Sequence, residues 1–221
     1  MSEAYETEEE QIEAIKRWWK ENGRSIILGL VLGIGGIGGF RFWQSNVDEQ
    51  AKLGSMHFEE VVALSASDQK EFIAKVLEVE SEYAGKSYAD LTAFVAAKKL
   101  VKEKDYKSAK EQLEWVIKNS SRESFVHIAR IRLVKVMLQL NEAKEALSLI
   151  KDINSAGFES TYAELRGDLH AVLKDYTNAK AEYQVALNKI NPGDRRGVAI
   201  EMKSNNLPVS DMSKTQTPTG K

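Results

Sequence analysis

Sixteen consecutive residues, Ser25 to Phe40 (SIILGLVLGIGGIGGF), carry no charged side chain, although charged residues make up 29% of the chain. Arg24 and Arg41 bound the run, and Phe42 and Trp43 extend its apolar character. As a helix rising about 1.5 Å per residue, residues 25–43 reach roughly 28 Å, close to a hydrocarbon core of about 30 Å. A buried core helix is rarely apolar on every face over such a length. A cleaved signal peptide would end in small residues, whereas this run ends in Phe40-Arg41-Phe42-Trp43 and follows a 24-residue segment containing seven acidic residues. The expectation is an uncleaved transmembrane helix at 25–43, dividing the chain into a head at 1–24, a body at 44–207 and a tail at 208–221.

Basic residues set the expected orientation. Lys16, Arg17, Lys20 and Arg24 precede the run closely, while only Arg41 and Lys52 fall in the twenty residues after Phe40. Excess Lys and Arg marks the cytoplasmic side. The head is therefore expected to remain cytoplasmic and the body to lie in the periplasm of a bacterial inner membrane. Trp18 and Trp19 on one side and Trp43 on the other suit the two interfacial aromatic belts.

Gly33-Ile34-Gly35-Gly36-Ile37-Gly38 matches the G-x-G-x-x-G pattern of dinucleotide-binding loops. That loop works only between a strand and a helix N-terminus, and no βαβ unit surrounds this one. In lipid, Gly29 with Gly33 and Gly35 with Gly39 are small residues four apart, where another transmembrane helix can approach closely.

The body has no cysteine, so its stability rests on packing rather than disulfides. With 31 basic and 33 acidic side chains, the net charge of -2 gives no reason to expect nucleic acid as a partner. All three prolines lie after residue 190. Apolar residues recur at steps of three and four, as in Phe72, Val76, Val79 and Tyr83, or Ile131, Val134 and Leu138. That is the helical period, and no stretch alternates as a strand would.

The helical segments also repeat. Ala109, Ala143 and Ala179 stand 34 and 36 residues apart, each soon after a turn-like segment: Asp105-Tyr106, Leu140-Asn141 and Asp175-Tyr176. This spacing resembles the tetratricopeptide repeat, a helix-turn-helix unit of about 34 residues. Twelve residues before each alanine stand Ala97, Ile131 and Gly167, where that repeat favours a small residue at the helix crossing. Two of the three match, so the middle unit is degenerate. The fold expected is all-α: one N-terminal transmembrane helix followed by a tetratricopeptide-like right-handed helical-hairpin array. Three units would span 90–190, with a divergent pair at 48–83 capping one end and a short helix at 195–206 closing the other. Residues 210–221, rich in Ser, Thr, Lys and Pro, are expected to be disordered.

No catalytic constellation is apparent. His57, His127 and His170 are scattered in sequence, without H-E-x-x-H spacing, and G-x-S-x-G and Walker motifs are absent. No enzyme activity, cofactor or metal is expected. Stacked first helices instead line a concave binding surface in such arrays. In the register above, those positions hold Leu91, Phe94 and Lys98, then Phe125, Ile128, Arg132 and Lys135, then Glu164 and Asp168. Aromatic area beside cations suits an unfolded or nascent polypeptide. In a register shifted by one position, Phe94 and Phe125 would instead be core residues.

The head-to-anchor segment Gln11-Ile12-Glu13-Ala14-Ile15-Lys16-Arg17-Trp18-Trp19-Lys20-Glu21-Asn22-Gly23, the glycine-rich span ending in Arg41-Phe42-Trp43, the degenerate repeats and the ending Met202-Lys203-Ser204-Asn205-Asn206-Leu207 together resemble the YfgM family. These are ancillary subunits of the SecYEG translocon in Gram-negative bacteria. The resemblance covers almost the whole chain, the tail from Pro208 departing from it. It implies association with SecYEG and with a PpiD-like periplasmic chaperone, and transfer of emerging polypeptides to periplasmic chaperones. It also implies an alternative, a signalling adaptor whose cytoplasmic head sequesters a stress response regulator. No residue-level site follows from the resemblance.

Overall fold

The computed structural model describes residues 8–66, 69–153 and 155–208. The beginning of the head and nearly all of the tail lie outside the described residues. Those described form helices α1 (Glu8–Leu64), α2 (Gln69–Glu82), α3 (Ser87–Lys102), α4 (Tyr106–Asn119), α5 (Glu123–Gln139), α6 (Ala143–Ile150), α7 (Glu159–Val172), α8 (Tyr176–Lys189) and α9 (Arg196–Asn205), with no strand among them. The chain divides into two compact units, Met1–Leu53 and Gly54–Lys221.

The first unit contains most of α1. Every residue from Arg24 to Phe40 is exposed, the large apolar ones included. This is the one described helix long and apolar enough to cross a membrane. A helix with no polar face is unfavourable in water and favoured in lipid, where its backbone groups are satisfied internally. Asn22 and Asn46 donate their side-chain amides to the carbonyls of Trp18 and Phe42, near the two ends of the apolar run.

The second unit is an array of hairpins. The last part of α1 pairs with α2 through Val61, Phe72, Val76, Val79 and Tyr83, and the apolar surface is completed by Ala89 and Ala96 of α3. Then follow α3/α4, α5/α6 and α7/α8, joined by a core that includes Leu100, Leu113, Val116, Leu133, Val134, Ile150, Tyr162 and Leu169. Each such aliphatic side chain stabilises the fold by about 1.5–3 kcal/mol when fully buried.

The repeat seen in sequence is a repeat in three dimensions. Ala109, Ala143 and Ala179 are all buried, as are Val116, Ile150 and Ala186 seven positions on. Gly167 lies so close to Tyr183 that a Cβ there would stand 2.5 Å from the ring. Ile131, the mismatch, is only half-buried.

The turns within the α3/α4, α5/α6 and α7/α8 hairpins share one construction. Lys104, Asn141 and Lys174 adopt left-handed backbone conformations with φ of 62°, 61° and 63°. In each turn the next residue's N–H reaches back to the carbonyl five before it: Asp105 to Leu100, Glu142 to Met137 and Asp175 to His170, at 2.9, 2.9 and 2.8 Å. This is the Schellman closure of one helix. The same residue then caps the next helix: Asp105 accepts from the Ser108 N–H and Asp175 from the Asn178 N–H. Glu142, in the degenerate middle unit, makes no such cap and instead pairs with Lys110 at 2.6 Å.

Candidate protein-binding groove

Helices α3 and α5 bring together four of the side chains expected to line a concave surface. With α4 they enclose an open cavity of about 610 Å³, lined by Phe94, Ala97 and Lys98 of α3, Tyr106 of α4, and Arg132 and Lys135 of α5, among others. Four of the nine expected positions thus meet at one place. Phe94 serves both readings of the sequence, being 8% exposed within the core and also part of the cavity wall. Leu91, Phe125 and Ile128 are half-buried and lie outside that lining.

Stacking orders this surface. The Arg132 guanidinium lies 4.7 Å from the centroid of the Phe94 ring. Phe94 and Phe125 meet edge to face at 5.9 Å, and Arg122 sits 5.4 Å from the Phe125 centroid. The result is an Arg-Phe-Phe-Arg ladder running from α5 across α3 and back to the start of α5. A guanidinium over an aromatic ring is held by cation–π attraction while keeping five N–H donors for an acceptor.

The cations differ in their company. Lys99, next to Lys98, holds Glu103 at 2.9 Å and donates to the Ser65 carbonyl at 3.0 Å. Lys98, Arg132 and Lys135 form no ion pair among the described residues, and all three are exposed.

The last two expected positions are occupied from within the chain. Glu164 and Asp168 on α7 accept from the Lys203 ammonium of α9 at 2.7 and 2.9 Å. Burial works against the Lys203 charge, yet these two carboxylates hold its pKa above the ordinary lysine range. Asp168 also accepts from the Tyr183 hydroxyl at 2.8 Å. Burial, reinforced by that carboxylate, pushes the phenol's pKa well up. Ile200 of α9 completes the cluster of Ala163, Ala179, Tyr183 and Ala186.

The histidines serve structure. His127 is buried, with Nδ1 2.7 Å from the Tyr162 hydroxyl and its ring stacked on Phe158 at 4.8 Å. His170 Nδ1 lies 3.0 Å from Asp175 Oδ2 beside the α7–α8 turn. His57 is brought by the pairing of α1 with α2 to Glu78 and Glu82, the potential ligand atoms lying within 4.8 Å of one another. Sequence spacing gave no sign of this group because its members come from two helices. Both carboxylates are exposed, and Glu78 already holds Lys75 at 2.9 Å.

In the first unit, a Cβ at Gly29, Gly33, Gly35 or Gly39 would meet nothing within 4 Å, and the same holds for Gly36 and Gly38. At roughly 100° per residue, the Gly29–Gly33 pair and the Gly35–Gly39 pair face directions about 120° apart, and Gly36 joins the first. Gly23 is different, lying under the Trp19 indole at 3.2 Å from a would-be Cβ.

A family model described as a tetratricopeptide repeat-like domain matches residues 16–209. A protein of Haemophilus influenzae named ancillary SecYEG translocon subunit is 30% identical over 205 residues, which cover 92% of this chain and 100% of that protein. Proteins of the same name from Escherichia coli and Aggregatibacter actinomycetemcomitans are 27% identical over 207 residues and 30% identical over 205 residues, covering 94% and 92% of this chain and all of each relative. No solved structure matches.

Proposed function

The chain belongs to the tetratricopeptide-like family of ancillary SecYEG translocon subunits, and from that premise we propose that it is a single-pass inner-membrane scaffold of the translocon. Its α1 run anchors it beside the channel with the head in the cytoplasm. The array lies in the periplasm, where it holds an emerging polypeptide and passes it to a periplasmic chaperone of the PpiD kind. The observation that carries this reading is the open cavity between α3 and α5, with a stacked aromatic wall and three unpaired cations. Extended chain offers both apolar side chains and polar backbone, and such a surface engages both. The glycine strips of the anchor support lateral docking, since a neighbouring membrane helix meets backbone there instead of bulky side chains.

Site-specific photocrosslinking in intact membranes tests this reading. A photoreactive residue at Gly33 or Gly35 is expected to capture a SecYEG subunit, and one at Lys135, exposed beside the cavity, a nascent chain or a periplasmic chaperone. Products confined to lipid and to a second copy of this chain would overturn the scaffold reading. Removing the head, residues 1–15, is expected to leave these crosslinks intact, whereas an adaptor for a cytoplasmic regulator would lose its function.

A further inference from the structure

We propose that the cavity between α3, α4 and α5 selects acidic stretches of polypeptide, seating a carboxylate side chain among Lys98, Arg132 and Lys135 while a neighbouring bulky apolar side chain packs on Phe94. This inference rests on the polypeptide-binding reading above and gives that site a specificity.

Charge is its first support. The whole chain is nearly neutral at -2, so three cations around one cavity are a local concentration and not a reflection of composition. Several lysines of the array are matched, Lys75 to Glu60 and Glu78, Lys99 to Glu103, Lys110 to Glu142, Lys203 to Glu164 and Asp168, whereas the wall around Lys98, Arg132 and Lys135 includes no Asp or Glu. Lys98, Arg132 and Lys135 have no counterion among the described residues. Glu164 and Asp168 of α7 lie outside the cavity lining and share the Lys203 ammonium.

Geometry is the second. Arg132 lies over the Phe94 ring at 4.7 Å from its centroid and forms no ion pair among the described residues, so its charge is open to an acidic ligand. Lys98 and Lys135 come from two different helices and line the same cavity. A volume of about 610 Å³ accepts a few side chains and lies within the range of ligand pockets, roughly 300–1,000 Å³. The wall is apolar apart from the cations, Tyr106 and Gln139. The fitting ligand therefore combines negative charge with apolar bulk, and a purely hydrophobic segment would leave the cations without a partner.

The test uses the full-length protein in detergent micelles and fluorescence anisotropy of a short peptide in which Glu alternates with Phe and Ser, carrying an uncharged dye. A second peptide has Gln for every Glu. The acidic peptide is expected to bind roughly tenfold more tightly than its Gln counterpart, with the difference shrinking as salt rises. The double variant K98Q/K135Q alters two exposed side chains, so its thermal unfolding should match the parent while the preference disappears. Equal binding of the two peptides, or a preference that survives in K98Q/K135Q, overturns acidic selection and leaves polypeptide binding standing. Binding of neither peptide overturns both.

Discussion

At position 167 a methyl group would stand 2.5 Å from the Tyr183 ring, and that ring is pinned by burial on one side and by Asp168 on the other. Gly167→Ala is therefore expected to destabilise the array by about 1–3 kcal/mol, the usual cost of overpacking, measurable as a lowered urea midpoint. The small residue itself was legible from its place in the repeat. What it packs against was not, because Tyr183 lies sixteen positions away on the next helix. Glu80 is a second residue with no signal in sequence. It is 5% exposed, its Oε1 has no hydrogen-bond partner, and burial raises its pKa to about 7. With an unfolded value of 4.5, the folded state keeps the proton that the unfolded chain releases. Stability is thus full at acid pH, falls as pH rises from that value to about 7, and is level above. Glu80→Gln should remove this slope, with a gain over the parent of at most about 3 kcal/mol at pH above 8 and little at pH below 4.5. Denaturant titrations at the two extremes check it, and a pH-independent difference would sink the idea.

Among the elements, the hairpin turns carry the clearest unread information. A glycine at Lys104 or Lys174 would have announced a left-handed helix end; the two lysines hide it, and of the three only Asn141 is a residue that visits this conformation readily. The alanine register still gave the repeat, since Ala109, Ala143 and Ala179 fix where each second helix crosses the first. Because Lys174 is exposed and makes no ion pair among the described residues, its side chain contributes little and its backbone is strained. Lys174→Gly should raise stability by about 0.5–1 kcal/mol, the relief of the left-handed conformation less the added freedom of the unfolded chain. Thermal unfolding of the variant checks it, and a lowered midpoint would contradict the strain argument. The groove divides along the same line. Phe94, Lys98, Arg132 and Lys135 were placed together by period alone, whereas the engagement of Glu164 and Asp168 depends on α9, which lies outside the repeat.

Over the whole molecule, the apolar run and the helical periodicity revealed an anchor and an all-α body, and a closing helix expected at 195–206 is found at Arg196–Asn205. The orientation of the anchor follows only from the placement of Lys and Arg, and the chain's lack of cysteine makes it simple to measure. In cells with a permeabilised outer membrane, Lys118→Cys should react with a membrane-impermeant maleimide, and Glu13→Cys only after the inner membrane is lysed. The reverse pattern would place the array in the cytoplasm and remove the basis for contact with emerging chains.

Lys203 and Ile200 of α9 have a meaning beyond the local contacts. Each hairpin of the array presents to the next a surface that the next one covers, and nothing in that rule says where to stop. A last hairpin left bare would offer the same invitation to a second molecule, and head-to-tail contacts of this sort grow into open polymers. By filling the Ala163–Ala179–Tyr183–Ala186 cluster and clasping Glu164 and Asp168, α9 turns a pattern with no natural end into an object of fixed length.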